Sequence, residues 1–283
     1  MEFAINAGNI TKTFGNRTVL DGIDLKIPKG EIFGLLGPSG AGKTTLIKIL
    51  TGQLRADGGI SSINGKSSTA LTGDDHRRFG IMMDDFGIYE RMNCYENLKI
   101  FARIYGIDDS CIKTALEKVG LWKSAKTPAK KLSKGMKGRL RLARAFMTDP
   151  DILFLDEPTS GLDPTAADEI HKIILSDKAK GKTIFLTTHT MTEAEKLCGH
   201  VALLNEGKIV EYGTPAEICR RYDNCRKFRI HMRDGSDLEL PHTTDSAVQI
   251  SELIGSGRME TIHTTEPDLE TVFMELTGKE LSA

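Results

Sequence analysis

The stretch Gly37-Pro38-Ser39-Gly40-Ala41-Gly42-Lys43-Thr44 decides the fold of this chain. It fits the phosphate-binding pattern G-x-x-x-x-G-K-[ST], in which glycines let the backbone curl so that successive N–H groups point at one anion. Lys43 is expected to reach the β- and γ-phosphates of a nucleotide, and the Thr44 hydroxyl is expected to ligate Mg²⁺. The segment therefore predicts a site for a nucleoside triphosphate and its magnesium ion.

The residues on both sides of this loop support the same prediction. The apolar run Ile32-Phe33-Gly34-Leu35-Leu36 is typical of a buried strand, and Thr45-Leu46-Ile47-Lys48-Ile49-Leu50 is typical of a helix. A helix that starts near Lys43 would direct the positive end of its dipole at the phosphates. The alternative, a glycine-rich turn with an exposed lysine, does not account for this order of strand, loop and helix.

Composition limits the classes of protein to consider. At 283 residues and a formal net charge of −1, the chain gives no bulk electrostatic reason to bind nucleic acid or an anionic membrane surface. It has no apolar run near the ~18 residues that span a bilayer, and its start lacks the pattern of a signal peptide. The five cysteines form no C-x-x-C pair, which indicates reduced thiols in the cytosol. A metal or redox site at Cys219 and Cys225 is the alternative, but no further pattern completes it.

The rest of the chain predicts an α/β fold. Periodicity and turn residues indicate strands at 4–14, 17–27, 30–36, 152–155 and 183–187, with a hairpin at 58–65. Helices are indicated within 97–120, around 140–147 and at 166–178. Because strands and helices alternate, we expect a mostly parallel sheet that is covered on both faces.

A polar, charged linker at 219–224 indicates a second, smaller domain. We predict a nucleotide-binding domain at residues 1–220 and a small α+β accessory domain at 221–283. The smaller one would hold strands at 227–232, 238–240 and 259–263 and helices at 247–254 and 269–276. A segment of about 60 residues is marginal alone, so we expect it to pack on the main domain or on a partner.

A second motif, Asp151-Ile152-Leu153-Phe154-Leu155-Asp156-Glu157, is an apolar strand that ends in two carboxylates. Open α/β sheets place their sites at the carboxyl ends of such strands. Asp156 is suited to hold Mg²⁺, and Glu157 is suited to orient or deprotonate an attacking water. A lone carboxylate is a weak base, so we expect water positioning to be most of the role of Glu157. The alternative is a solvated strand end.

In their order along the chain, these motifs resemble those of the ATP-binding cassette (ABC) ATPases, from Ile5 to Ile218. The resemblance implies a P-loop NTPase cassette, which has a mixed sheet core, an antiparallel β subdomain and a helical subdomain. The matching segments are Leu132-Ser133-Lys134-Gly135-Met136 for the signature LSGGQ, Asp156-Glu157 for the acidic motif with its catalytic glutamate, Ser160-Gly161-Leu162-Asp163 for the D-loop and His189 for the switch histidine.

The resemblance also implies how the site is completed. Ser133 and the backbone of Gly135 would open a helix whose N-terminus faces the γ-phosphate of ATP bound to a second copy. Two cassettes would therefore pair head to tail as a homodimer with two sites.

Further residues of the nucleotide pocket follow from the same resemblance. His189 would hydrogen-bond the γ-phosphate, unless it is an ordinary surface histidine, and the other six histidines are given no role. Phe14 stands where the family stacks an aromatic ring on adenine, the alternative being a core aromatic. Val19 and Thr45 complete the implied pocket.

Two positions depart from the family pattern. Asp84 stands where the family has a metal-binding glutamine in the loop between the catalytic sheet and the helices, and the chain's only glutamines are Gln53 and Gln249. Asp84 keeps one oxygen ligand for Mg²⁺ but adds a negative charge beside the γ-phosphate. In the signature, Lys134 adds a cation and Met136 lacks the glutamine amide, a variation familiar in cassettes that serve separate membrane subunits.

The implied function is that of the ATP-hydrolysing subunit that powers a separate multi-span membrane permease. Residues 266–278 resemble the C-terminal extension of bacterial ABC-2-type exporters of drugs, antibiotics and antimicrobial peptides, although an ordinary amphipathic helix would give the same pattern. The chain is expected in the cytoplasm, held on the inner face of the cell membrane by its permease.

The permease is expected to dock near Asp84, Phe86, Ile88 and Tyr89, where apolar side chains would form a groove for a short helix, unless they belong to the core. The alternative function is that of a soluble ABC-type ATPase that remodels ribosomes or nucleic acid. Such proteins carry two cassettes in one chain, a coiled coil or zinc modules, which this sequence lacks. A P-loop kinase or GTPase would lack the signature and the switch histidine.

We predict that Asp84→Gln changes the metal preference of ATP hydrolysis rather than abolishing it, because the substitution keeps an oxygen ligand and removes one negative charge. ATPase rates of the parent and the variant are compared in Mg²⁺ and in Mn²⁺. Identical rates and identical metal profiles would show that the charge at residue 84 has no effect on the site.

Overall fold

Strands and helices alternate along most of the chain, as the sequence predicts. The computed structural model describes residues 2–83, 87–222, 227–265 and 267–278. The strands are β1 (Phe3–Phe14), β2 (Arg17–Pro28), β3 (Ile32–Leu36), β4 (Gly58–Ile63), β5 (Lys66–Ser67), β6 (Phe79–Met82), β7 (Ile152–Asp156), β8 (Thr183–Thr188), β9 (His200–Asn205), β10 (Lys208–Gly213), β11 (Lys227–Met232), β12 (Asp237–Pro241) and β13 (Met259–Thr265). The helices are α1 (Lys43–Leu50), α2 (Gly73–Arg77), α3 (Cys94–Tyr105), α4 (Ser110–Lys118), α5 (Lys134–Phe146), α6 (Pro164–Ala179), α7 (Met191–Leu197), α8 (Pro215–Arg221), α9 (Thr244–Gly255) and α10 (Leu269–Thr277).

The central sheet has the strand order β10-β9-β3-β8-β7-β6. Strand β3 pairs in parallel with β8 and β9, and β7 pairs in parallel with β6 and β8, so the predicted parallel sheet is confirmed. In this register Asp156 lies opposite Thr187, and Leu36 lies opposite Thr188. The carboxyl ends of β3, β8 and β7 therefore meet at one edge of the sheet.

Burial on both faces explains why these three strands read as unbroken apolar runs. Every residue of β3, β7 and β8 is buried. The rings of Phe33 and Phe185 have centroids 5.6 Å apart, and those of Phe185 and Phe154 are 5.8 Å apart, so one aromatic row crosses the three strands. Each of these side chains contributes about 1.5–3 kcal/mol by burial, which fixes the sheet that carries the site.

A second sheet, β2-β1-β4-β5, is antiparallel throughout. One face of β1 and β2 is buried in the same core as β3 and α1, through residues such as Ile5, Ile10 and Ile23. The antiparallel pairing of β4 with β5 confirms the hairpin predicted from Gly58 onward.

Helices α3, α4 and α5 pack on one another. Asn93 and Glu96 form a capping box at the start of α3, and Gly106, with φ 64°, ends it. Because glycine enters this left-handed conformation without strain, the helical pattern predicted over 97–120 is divided into α3 and α4 at this point.

The chain divides into two compact units between Tyr212 and Gly213, whereas the sequence predicts the division after residue 220. Thr214 and Glu217 form a capping box that starts α8, and this helix packs on α10 in the second unit. Residues 219–221, predicted as the start of a linker, are instead the last turn of α8. Polar composition hid the helix because only Ile218 in it is buried.

The second unit, Gly213–Ala283, has the antiparallel sheet β12-β11-β13. Ile230 and Met232 of this sheet and Leu253 of α9 form a small core, and Leu269, Val272 and Phe273 are the buried face of α10. Within the described ranges, no helix has both the length and the apolar character that a membrane span requires.

Two of the cysteines are buried thiols. Burial raises the pKa of Cys94 and of Cys198, so both remain protonated and unreactive at neutral pH. Cys225, half of the alternative metal or redox pair, lies outside the described residues.

Candidate nucleotide site

The phosphate loop connects β3 to α1, as predicted, and two of its glycines are sterically required. A Cβ at Gly37 would collide with the carbonyl oxygen of Leu204. Gly42, which precedes α1, has φ 111°, and a Cβ there would lie 2.8 Å from Leu20 Cδ2 and 2.9 Å from the Val19 carbonyl oxygen. Only glycine combines this backbone conformation with so close an approach of strand β2.

Lys43 is the buried cation of the site, with 5% of its surface exposed. Its ammonium donates hydrogen bonds to the carbonyl oxygens of Gly37 at 2.6 Å and Pro38 at 3.2 Å. It also lies 3.1 Å from Glu157 Oε1. The lysine is thereby held over the loop, with its charge directed at the edge of the sheet where β7 ends.

Asp156 joins the loop to the sheet. The Thr44 hydroxyl donates to Asp156 Oδ2 at 2.6 Å, and the Thr187 hydroxyl donates to Oδ1. The oxygen atoms of a buried carboxylate and of a neighbouring hydroxyl are the hard ligands that Mg²⁺ prefers. The side chains present therefore fit a magnesium ion held by Thr44 and Asp156.

Glu157 has a strained backbone. Its φ of 48° lies in the left-handed region, which a non-glycine residue adopts only where the surroundings hold it. Its N–H donates to the Thr187 carbonyl oxygen at 3.1 Å, and its Oε2 lies 3.1 Å from His189 Nδ1. The two residues predicted as catalytic are thus in contact, and the Glu157 side chain also lies against Lys43.

Lys43, Thr44, Asp156 and Glu157 line one cavity of about 280 Å³. Val19 and Thr45, which only the family resemblance indicated, line it together with most of the phosphate loop. The lining residues are Val19, Ser39, Gly40, Gly42, Lys43, Thr44, Thr45, Asp156 and Glu157. Ala41 is buried behind the loop.

Sequence reasoning missed two residues of the site. Thr187 bonds both Asp156 and the backbone of Glu157, and the Arg17 guanidinium donates to the Gly40 carbonyl oxygen at 3.4 Å. The signal for Thr187 was its place at the end of a strand two residues before His189. Arg17 comes from a different sheet, and nothing in its local sequence indicates the contact.

Outside the phosphate loop, three residues predicted to bind nucleotide do not line this cavity, and neither does His189. Phe14, at the end of β1, is 49% exposed, which rules out the alternative of a core aromatic, and Lys12 Nζ lies 5.3 Å from its ring centroid. Ser133 caps α5 by accepting a hydrogen bond from the Met136 N–H at 3.2 Å. A Cβ on Gly135 would lie 2.9 Å from the Cβ of Ala166, so this glycine also lets α5 approach α6.

The signature lysine lies against the segment that resembles the D-loop. The Lys134 ammonium occupies the space that a Cβ at Gly161 would need, and Gly161 has φ 64°. The first turn of α5 and the turn before α6 therefore form one surface, on which the cation of Lys134 is exposed.

Two predicted positions, Asp84 and Phe86, lie outside the described residues. Of their neighbours, Ile88 is partly buried and Tyr89 is 49% exposed. Asn97 holds the Tyr89 backbone in place, accepting from its N–H at 2.7 Å and donating to its carbonyl oxygen at 3.1 Å.

A glycine-rich loop that opens a helix, a buried lysine over that loop, and a hydroxyl beside two strand-end carboxylates together define a P-loop nucleoside triphosphatase. Comparison with known proteins agrees. The sequence profile described as "ABC transporter" matches residues 20–160. A fluoroquinolones export ATP-binding protein of Mycobacterium tuberculosis is 41% identical over 92% of this chain and 88% of that protein.

Two further relatives cover less of the chain. A lantibiotic transport ATP-binding protein of Streptococcus pyogenes is 38% identical over 71% of this chain and 87% of its own length. A solved structure described as an ATP binding subunit of an ABC transporter has a TM-score of 0.69 and 28% identity, covering 77% of this chain and 93% of that one. The chain belongs to the ABC transporter family, as an ATP-binding subunit with ATPase activity.

We predict that Gly42→Ala weakens ATP binding by about 10–100-fold, because a strained backbone costs about 1–3 kcal/mol and each 1.4 kcal/mol is tenfold in affinity. Binding of a fluorescent ATP analogue is measured. Gly73→Ala is the matched control, since a Cβ there meets no atom within 4 Å. Unchanged affinity in Gly42→Ala would contradict the described loop geometry.

Proposed function

We propose that this chain drives the export of a drug, antibiotic or antimicrobial peptide through a separate membrane permease, and that two copies act together. The observation that carries the proposal is the division of the site. Lys43, Asp156 and Glu157 line one cavity and His189 contacts Glu157, whereas the signature residue Ser133 does not line that cavity. A second copy would supply the missing signature, as the family resemblance implies.

The roles of the side chains in hydrolysis follow from their contacts. Lys43 would exchange its carbonyl partners for the β- and γ-phosphates, since a phosphate oxygen carries more negative charge than a carbonyl oxygen. Thr44 and Asp156 would hold Mg²⁺, with Asp84 as a further ligand, and the ion neutralises charge on the phosphates. Glu157 would orient the attacking water, and His189, in contact with it, would donate to the γ-phosphate.

Pairing would place the N-terminus of α5 against the γ-phosphate of the opposite copy. Ser133 and the N–H groups that follow it, together with the helix dipole, suit an anion there. Lys134 would add a cation to the same surface. Phe14, half exposed on β1, is free on one side to stack on adenine.

The transported class is inferred from the relatives. Their printed names refer to export of fluoroquinolones and transport of a lantibiotic, which favours an exporter over the alternative of a soluble ABC-type ATPase acting on ribosomes or nucleic acid. We place the chain in the cytoplasm, on the inner face of the membrane, through its permease. The permease would dock beside Asp84, Phe86, Ile88 and Tyr89, where Asn97 fixes the backbone of Tyr89.

We predict that Glu157→Gln lowers the rate of ATP hydrolysis by about 10²–10⁴-fold, because the substitution removes the group that orients the water. ATP binding is retained, since Lys43 and Thr44 are unchanged, and nucleotide should hold two copies together. Phosphate release is measured, and molar mass is measured by light scattering at saturating ATP and Mg²⁺.

Glu252→Gln, an equal charge change on the exposed face of α9, is the control and should behave as the parent. A Glu157→Gln protein that stays monomeric at saturating nucleotide would refute the shared site. One that hydrolyses ATP at the parental rate would refute the role of Glu157.

We predict that Tyr89→Glu reduces co-purification of a multi-span membrane protein with the tagged chain from detergent extracts by about tenfold, because a charge in an apolar groove is left desolvated. ATPase activity of the isolated chain should not change. Ile60→Glu, at an apolar side chain that is 75% exposed on β4, is the control. Equal recovery of the membrane protein with both variants would place the docking surface elsewhere.

A further inference from the structure

A buried polar contact lies two residues beyond the catalytic carboxylate. The Thr159 hydroxyl donates a hydrogen bond to Glu193 Oε1 at 2.6 Å. Glu193 is in α7 and is only 4% exposed. A carboxylate is rarely buried this completely unless donors compensate for its lost hydration, so its partners indicate why it is retained.

His171 of α6 is the second donor to the same carboxylate. Its Nε2 lies 2.9 Å from Glu193 Oε1, and the side chain is itself buried. The imidazole donates from Nε2 to this carboxylate, and its Nδ1 has no hydrogen-bond partner among the residues that the structure describes.

The two donors keep Glu193 ionised. Burial raises its pKa, but the hydrogen bonds from His171 and Thr159, both to Oε1, lower it further, so the net pKa lies below the ordinary value. An ionised acceptor makes shorter and stronger hydrogen bonds than a neutral one. The contact between Glu193 and Thr159 is therefore a firm link between two segments of backbone.

These two segments are the ones that carry the catalytic pair. Glu157 and Thr159 belong to one of them, and His189 and Glu193 belong to the other. The part-buried contact between Glu157 and His189, at 3.1 Å, is thus supported by the contact between Thr159 and the buried Glu193. Through His171, the same carboxylate also holds α6, which begins directly after Asp163.

We propose that Glu193 is a positioning residue for ATP hydrolysis, which sets the separation of Glu157 and His189 by holding Thr159. The inference rests on the proposed roles of Glu157 and His189. It assigns Glu193 and Thr159 no contact with nucleotide. Their loss should therefore slow the chemical step and leave the binding of ATP unchanged.

The test compares Thr159→Val, which keeps the shape of the side chain and removes its hydroxyl, with Thr159→Ser, which keeps the hydroxyl. We expect Thr159→Val to lower kcat by about tenfold or more with KM for ATP within about twofold, since a misplacement of 1 Å costs up to ~10²-fold. Thr159→Ser should retain kcat within about twofold. Thr192→Val, at an exposed site on α7, is the control.

A mutant cycle with Glu193→Gln identifies the contact itself. If both residues act through one bond, the double variant Thr159→Val/Glu193→Gln loses no more kcat than the worse single variant. If the losses of kcat in the two single variants multiply in the double variant, the proposal is overturned. It is also overturned if Thr159→Val leaves kcat unchanged, or if Thr159→Val and Thr159→Ser lower kcat equally. If Glu157→Gln abolishes hydrolysis while Thr159→Val does not slow it, this inference fails alone. If Glu157→Gln keeps the parental rate, the proposed function fails.

Discussion

The parallel register of β3, β8 and β7 is the constraint on which the site depends. It places Leu36, Thr188 and Asp156 at one edge of the sheet, so the phosphate loop, His189 and Glu157 follow their strands side by side. Backbone hydrogen bonds connect the segments that follow β3, β8 and β7. The Gly37 N–H donates to the Thr188 carbonyl oxygen, and the Glu157 N–H donates to that of Thr187. A register shift of one residue in β8 would turn the side chain of Thr187 to the other face of the sheet and remove its hydrogen bond to Asp156.

Charge balance at this edge follows from the same register. Two neighbouring carboxylates, on Asp156 and Glu157, are placed in a low-dielectric environment where like charges repel. The two carboxylates have different partners. Asp156 accepts from the hydroxyls of Thr44 and Thr187, whereas Glu157 faces the cation of Lys43 and the ring of His189. Such a division leaves Asp156 with oxygen neighbours, which suit a metal, and Glu157 beside groups that act on a phosphate.

Local sequence predicted those parts of the site that are contiguous. The phosphate loop and the end of β7 were found because each is one segment whose residue types and spacing carry the chemistry, and the sheet followed from apolar runs. Contacts between distant segments were not predictable in this way. Thr187, Arg17 and the link between Thr159 and Glu193 join strands and helices whose pairing a single sequence does not reveal. His171 received no role, because an isolated histidine in a helical pattern carries no signal until its partner is known. The two compact units divide after Tyr212 rather than after residue 220, and α8 has few apolar residues that would mark this division in the sequence.

Strain at Glu157 and the buried bond of Thr159 are best understood together. A left-handed non-glycine residue relaxes unless its neighbours hold it, and the strain is of the order of 1–3 kcal/mol. On the N-terminal side, Glu157 is held by β7 and by its bond to Thr187. On the C-terminal side, the Ser160 N–H donates to the Glu157 carbonyl oxygen at 3.2 Å, and Thr159 is bonded to Glu193, which is itself held to α6 through His171. Without that attachment, the strained residue has a route to relax that would turn its carboxylate away from Lys43. If Glu193 is a positioning residue, as proposed, its buried carboxylate opposes the relaxation of Glu157, which faces Lys43.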